Sequence, residues 1–335
     1  MNSVLKEDFD RILSRVTPRF KELAGSNLLI TGAAGFIGSY LMDLMSYANE
    51  HYFERAVRVV GVDNWVAASR LPTLSEHMVL ARNLLDHRVE WAIHAASIAS
   101  PQLYLAKPLE TLEANVNLTR RVLEWSTQAK GIVYLSTSEV YGDTAEVPTP
   151  ETCVGSATFS TPRAVYHESK RYAELLCQVY HRQFGVPVKI VRPFYVYGPG
   201  ENLANGRLVP QLMRAALGDS KFTVYGGEAT RSLCYIADAV EQFLLVLLDG
   251  QPSEAYNVGA LDEVAVNAIV YTCKRLFKLE VTSISSHETL TADAPSRRAP
   301  DLRKITALGL GCPFTSLGAG LDRTYRYYKE QRDRP

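Results

Sequence analysis

Residues 27–38 read NLLITGAAGFIG, and that stretch decides the fold. Leu28, Leu29 and Ile30 make the short apolar run of a buried strand. Gly32, Gly35 and Gly38 follow at a fixed stagger, and the helical run SYLMDLMSYA occupies 39–48. Glycine lets the backbone turn tightly and approach a ligand, and the free N–H groups of a first helical turn point at an anion. A second apolar run, 57–62, ends in Asp63, a carboxylate placed to accept hydrogen bonds from a ribose. Strand before, helix after and acid beyond predict a dinucleotide-binding turn.

The whole chain is balanced. Among 335 residues, 36 Lys and Arg face 36 Asp and Glu, so no net charge favours nucleic acid or an anionic membrane. The five cysteines are scattered and show no C-x-x-C, which argues for reduced thiols in a cytosol rather than disulfides or zinc. No apolar run reaches the roughly 18–20 residues of a membrane span. A cytoplasmic protein is expected, with no metal, no membrane and no nucleic-acid partner.

Upstream of the first strand, Leu5, Phe9, Ile12, Leu13 and Val16 recur at helical spacing, and a second helical piece spans 19–23. This extension, 1–26, is read as packing. From 27 to 135 strands at 28–30, 57–62, 78–81, 91–94 and 132–135 alternate with helices at 39–48 and 111–128. Alternation implies parallel pairing and right-handed crossovers, hence an α/β doubly wound sheet whose ligands sit at the carboxyl ends of the strands. That rim gathers the glycine turn, Asp63, Ala95-Ala96-Ser97 and the run Ser136-Thr137-Ser138-Glu139. His94 has no second ligand spaced near it and reads as a packed strand-end residue.

About thirty residues later comes Tyr166-His167-Glu168-Ser169-Lys170, leading a helix over 170–184. Tyr and Lys at i and i+4 share one helix face. A nearby ammonium is expected to lower a tyrosine from about 10 toward neutral pH and make Tyr166 a general base on a hydroxyl.

Taken together, GAAGFIG, Asp63, HAAS, STSEVYG, YHESK, RPFYVYGPG, TRSLCYIAD and YNVG resemble the extended short-chain dehydrogenase/reductase family, in its nucleotide-sugar branch, from residue 27 to 330. The resemblance implies a Rossmann domain over 27–187, with returns near 232–260, and a smaller C-terminal α/β lobe over 188–330 for the substrate. It implies NAD along the rim, held by Gly32, Ala34, Gly35, Phe36, Ile37, Gly38, Asp63, Asn64, Asn83, Leu84, Ala95, Ala96, Ser97, Asn115, Ser136, Tyr166, Lys170 and Val196. It makes Thr137, Tyr166 and Lys170 the catalytic group. Ser138, Tyr195, Asn205, Arg207, Tyr225, Arg231 and Arg298 match positions on the nucleotide sugar, where an arginine fork suits phosphate or carboxylate. Helices 111–128 and 170–184 match those that form a four-helix bundle across a homodimer axis.

Within the branch, STSEVYGD, Ala96–Pro101, Pro162–Tyr166, ANGRLVP and the TR run are similar to UDP-glucuronate decarboxylases. That implies a 4-keto UDP-sugar, with Glu139 and Arg231 attending the carboxylate and C5, and Glu139 or a water giving the C5 proton. A 4,6-dehydratase would carry Asp where Ser138 stands. A 4-epimerase needs no carboxylate pocket, and a C5 or C3 epimerase needs another acid–base pair, for which Cys153 and His167 are the candidates. A non-enzymatic NAD-binding module would be expected to lack Tyr166 or Lys170. The chain departs from the pattern at Tyr195, where relatives mostly carry Asn, at His167 for Asp, and at Asn83 for Asp.

Overall fold

In the computed structural model, residues 1–83, 89–218, 223–225, 227–279, 283–285, 296–311 and 314–333 are described. Val4, Leu5, Phe9 and Ile12 form the buried stripe of α1 (Ser3–Arg15), which Asn2 caps by accepting from the Val4 N–H at 2.9 Å. A 3-10 turn, Pro18–Leu23, leads to β1 (Asn27–Thr31), α2 (Phe36–His51), β2 (Arg58–Val62), β3 (Met78–Ala81) and β4 (Trp91–His94). The helix expected over 111–128 differs from expectation. It is preceded by α3 (Pro101–Ala106), begins at Pro108 as α4 (Pro108–Leu112), passes through a π turn at Glu113–Asn117 and ends as α5 (Leu118–Trp125). Proline is pre-set for a first helical turn, which explains the early starts at Pro101 and Pro108.

β5 (Gly131–Leu135) follows, then α6 (Ala164–Phe184), which opens two residues before Tyr166 rather than at Lys170. Next come β6 (Val188–Pro193), β7 (Tyr195–Tyr197), α7 (Leu208–Ala216), β8 (Thr223–Tyr225), β9 (Thr230–Tyr235), α8 (Ile236–Asp249) and β10 (Ala255–Val258). The chain closes with β11 (Glu263–Ala265), α9 (Val266–Phe277), β12 (Ser283–Ser285), β13 (Arg297–Arg298), α10 (Arg303–Thr306) and α11 (Leu317–Arg332).

Seven parallel strands form the main sheet in the order β10-β6-β5-β4-β1-β2-β3. The chain runs from β1 outward to β3, then returns to the other side of β1 as β4, so the order reverses there. That is the doubly wound fold, with its crevice at the switch point. Its interior strands are largely apolar because helices cover both faces: β5 is buried at all five positions. A smaller sheet places β9 between β11 and β13, with β7 also pairing β9, while β8 pairs β12.

Residues 1–26 pack on the body of the molecule. Asp8 on α1 is fully buried and accepts from Tyr40 Oη of α2 (3.1 Å), Tyr235 Oη at the end of β9 (2.7 Å) and Arg323 of α11 (2.8 Å). Arg11 pairs with Asp238 of α8 at 2.9 Å. Burial raises Asp8 above the usual carboxylate range, and Tyr235 and Arg323 oppose that rise. Asp8→Ala strips one acceptor from two buried tyrosine hydroxyls and the part-buried Arg323 and is expected to lower the unfolding free energy by roughly 3 kcal/mol, read from urea denaturation against Asp10→Ala on the exposed face of the same helix.

Candidate active site

The glycine turn is built by close backbone crossing. Gly32 has φ +70°, and a Cβ there would lie 2.8 Å from the Ala95 carbonyl oxygen. A Cβ on Gly38 would overlap the Gly32 carbonyl. The start of α2 is left open, since its cap Gly35 offers no side chain to the first N–H groups. Asp63 reaches back to this turn, its Oδ2 accepting from the Ala34 N–H at 2.9 Å and its Oδ1 from the Trp65 N–H at 2.7 Å. Asn64 and Asn83 stand exposed at the ends of β2 and β3, and Leu84 lies outside the described residues. Ala95, Ala96 and Ser97 continue β4, and the Ser97 Oγ is buried without a protein partner. His94 is locked between Thr31 Oγ1 (2.5 Å) and Thr119 Oγ1 (2.8 Å), and burial drives it down to about 3, so it is a neutral packed ring.

β5 delivers Ser136 and Thr137 to the rim. The Thr137 Oγ1 caps a 3-10 turn, Ser138–Tyr141, by accepting from the Glu139 N–H at 3.2 Å. Beside it, α6 presents Tyr166 and Lys170, both buried. Asn115, in the π turn, donates to Ser169 Oγ at 2.9 Å and leaves its own buried Oδ1 without a protein partner.

Two expectations about this group are corrected. Lys170 does not bring Tyr166 down. Burial, followed by the Glu139 carboxylate, pushes Tyr166 well above 10, only partly opposed by its hydrogen bond with Thr137. The Lys170 Nζ donates to the Leu135 carbonyl at 2.7 Å over the ring of Tyr134, and desolvation lowers it to about 7. Nor is Glu139 a proton donor. Arg163 contacts both its oxygens at 3.0 and 2.9 Å, and Arg298 its Oε1 at 3.1 Å; these guanidinium groups outweigh burial and hold it at about 2.

Arg231 lies close enough to feel the same carboxylate, and burial, followed by the charge of Arg298, lowers it to about 10. Its Nη1 donates to the Thr230 carbonyl at 2.7 Å. Asn205 and Arg207 are both tied to buried Glu201, at 3.0 and 2.8 Å, and the Arg207 guanidinium lies 4.1 Å over the Tyr195 ring. Val196 sits on β7 and Tyr225 on β8. Cys153 and His167 are not brought together as an acid–base pair: Cys153 meets Thr144 Oγ1 at 3.4 Å, and His167 Nε2 donates to the Thr158 carbonyl at 2.8 Å.

Sequence reading missed two neighbours of Tyr166. Tyr104 of α3 stacks on Tyr166 at 5.1 Å with planes 5° apart, and its hydroxyl feels Glu139 and Arg163. Arg163 lies three residues before Tyr166, one turn away, and that spacing was a readable signal.

A family model described as "NAD dependent epimerase/dehydratase family" matches residues 28–259. The chain belongs to that family. NAD is its cofactor, and the open helix start, the close glycine crossing and the unpartnered Ser97 Oγ fit such a group along this rim. Among curated proteins it is 32% identical to UDP-glucuronic acid decarboxylase 1 of Xenopus tropicalis over 97% of this chain and 78% of that one. It is 36% identical to UDP-glucuronic acid decarboxylase 6 of Arabidopsis thaliana over 88% and 86%. Among solved structures, epimerase Mth375 of Methanothermobacter thermautotrophicus superposes with a TM-score of 0.83 at 22% identity over 97% of each chain. The UDP-glucuronic acid 4-epimerase of Bacillus cereus, solved with UDP-glucuronic acid and NAD, gives 0.74 at 25% identity over 91% and 99%. Among the described residues no helix is long and apolar enough to cross a membrane.

The arginine clamp has a pH signature. Glu139 falls from 4.5 to about 2, so its stabilisation is complete above pH 4.5 and fades as the pH drops toward 2. Glu139→Gln is therefore expected to lower unfolding free energy by roughly 3 kcal/mol at pH 7, with the difference from wild type shrinking below pH 4, as measured by urea denaturation across pH.

Proposed function

We propose that this enzyme decarboxylates UDP-glucuronate, or a related UDP-uronate, to UDP-xylose or the matching pentose through a transient 4-keto sugar. The observation that carries the reading is the pairing of Arg163 and Arg298 with the single carboxylate of Glu139, with the Arg231 guanidinium near enough to feel that charge, beside Tyr166 and Thr137. Three guanidinium groups around one carboxylate leave a positive site, which suits a substrate bearing its own carboxylate and diphosphate. The relatives named UDP-glucuronic acid decarboxylase, 32–36% identical over most of the chain, support it.

In this reading Thr137 and Tyr166 hold the C4 hydroxyl. As its hydrogen on carbon leaves as hydride, the hydroxyl proton passes to the Tyr166 oxygen while the phenol's own proton leaves toward Lys170, whose amine near 7 can take it up. NAD, when bound, accepts that hydride and later returns it. A ketone at C4 makes the C5 carboxylate a β-keto acid, and loss of CO2 sends the electrons into the ketone. Arg231 and Thr137 steady the enolate oxygen. With Glu139 held as a carboxylate, the C5 proton comes from water or from the Tyr104 hydroxyl. Asn205, Arg207, Tyr195, Tyr225 and Arg298 attend the base, diphosphate and sugar, and Lys170 the nicotinamide ribose.

The B. cereus likeness favours a second reading, 4-epimerisation of the same uronate. Mass spectrometry after incubation with UDP-glucuronate and NAD+ separates them: loss of CO2 without NADH accumulation is expected, whereas unchanged mass at a new chromatographic position means epimerisation. Tyr166→Phe is expected to reduce turnover by more than about 100-fold with NAD+ affinity retained, and near-normal turnover removes Tyr166 from the mechanism.

The same reading includes a cytoplasmic homodimer through a four-helix bundle. Its support is exposed Leu109 and Leu112 on α4 beside exposed Tyr172 and Leu175 on α6, two helices that pack together. Sedimentation at micromolar concentration is expected to show a dimer, and Leu175→Asp with Tyr172→Asp a monomer.

A further inference from the structure

Behind the catalytic helix face lies a buried ion pair that the chemistry above leaves unused. Glu174 follows Lys170 by one turn of α6, so the two share a face. The Glu174 carboxylate is buried and receives Ser136 Oγ–H at 2.5 Å, Arg192 Nε at 2.9 Å and Arg192 Nη2 at 2.6 Å. From the far side of the pair, Arg192 Nη1 donates to Tyr141 Oη at 2.9 Å and stacks over the Tyr141 ring at 4.9 Å. The Tyr141 hydroxyl in turn donates to Asn257 Oδ1 of β10 at 2.7 Å. Ser136 and Tyr141 are the two ends of the segment that presents Thr137, Ser138 and Glu139. One carboxylate–guanidinium pair therefore grips both ends of that segment and ties it to the helix bearing Tyr166 and Lys170.

We propose that Glu174 is a positioning residue of the active site, which with Arg192 fixes the 136–141 segment against α6 and supplies the buried counter-charge that keeps Lys170 able to carry a proton. The inference rests on the reading of Tyr166 and Lys170 as a working pair, yet it concerns this chain's own groups and needs no substrate to be tested.

The surroundings of Lys170 make Glu174 the group that matters. From β5 it faces the Leu135 carbonyl and the Tyr134 ring, and from β4 it faces His94, which is neutral. From its own helix it feels Glu174 and Cys177. Burial disfavours the ammonium; Glu174, and less strongly Cys177, oppose it. A carboxylate whose charge is spent entirely on Arg192 would leave the titration of Lys170 unmoved when it was neutralised.

The test is the protonation midpoint of Lys170, followed by NMR of the full chain labelled with 13C,15N-lysine, the signal being assigned by its loss in Lys170→Met. In Glu174→Gln the midpoint is expected to fall by about one pH unit or more from its wild-type value near 7. If that variant does not fold because Arg192 is left unpaired, Glu174→Gln combined with Arg192→Met leaves no lone buried charge and is titrated instead, with a smaller fall expected because a cation leaves together with the carboxylate. An unchanged midpoint in whichever variant folds overturns the proposal. Absence of turnover on UDP-glucuronate in the wild type sinks the substrate reading and leaves this measurement standing.

Discussion

Everything in this molecule hangs on the place where the backbone of Gly38 crosses that of Gly32 with no room for a side chain between them. The contact seats α2 against the end of β1 and aims the first N–H groups of the helix over the carboxyl rim of the sheet. Once α2 is set, Tyr40 fixes where Asp8 and α1 lie, and through Asp8 the ends of β9 and α11 as well. The N-terminal helix thus connects the helix of the glycine turn with the strand that carries Arg231. A packing contact at one end of the crevice and a buried carboxylate at the back together place groups that are far apart in sequence.

Burial governs the chemistry of the rim as strongly as proximity does. Three ionisable groups, Glu139, Tyr166 and Lys170, stand along the rim, and desolvation acts on each against its charged form. Glu139 escapes because two guanidinium groups touch it, so it remains a carboxylate. Tyr166 does not escape and stays a phenol, while Lys170, with only Glu174 and a thiol to help it, sits near neutrality. An amine in that range can both give and receive a proton at physiological pH, which a normal lysine cannot. In the proposed mechanism the site separates two roles: fixed charge, held by the arginines and Glu139, and movable proton, shared by Tyr166 and Lys170.

The strands of the parallel sheet, the rim and the neighbourhood of Thr137 and Tyr166 were legible because each depends on local pattern: apolar runs, a glycine stagger, an i, i+4 spacing. What the sequence hid depends on distance in space. Tyr104 is 62 positions from Tyr166 yet lies flat on it, and nothing in the spacing of Pro101 to Ala106 announces that stack. Glu201 gathers Asn205 and Arg207 from within one loop, but a carboxylate there reads equally well as solvated surface. The π turn at Glu113–Asn117 escaped because its residues favour an ordinary helix; it accompanies Asn115, which reaches Ser169 on the neighbouring α6.

The expectation that failed is the instructive one. A Tyr–Lys pair on a helix face was read as a cation lowering a phenol, which is sound in water or at a half-exposed surface. It overlooks that the same burial which brings the cation close also weakens it as a cation. In a dry crevice the ammonium needs a counter-charge before it can act on anything else. That places the working unit one turn further along α6 than the motif itself: Tyr166 and Lys170 face the crevice, and Glu174 with Arg192 stands behind them. Helix α6 is then best understood as three ionisable groups in register at intervals of one turn, of which a reading by motif names only the first two.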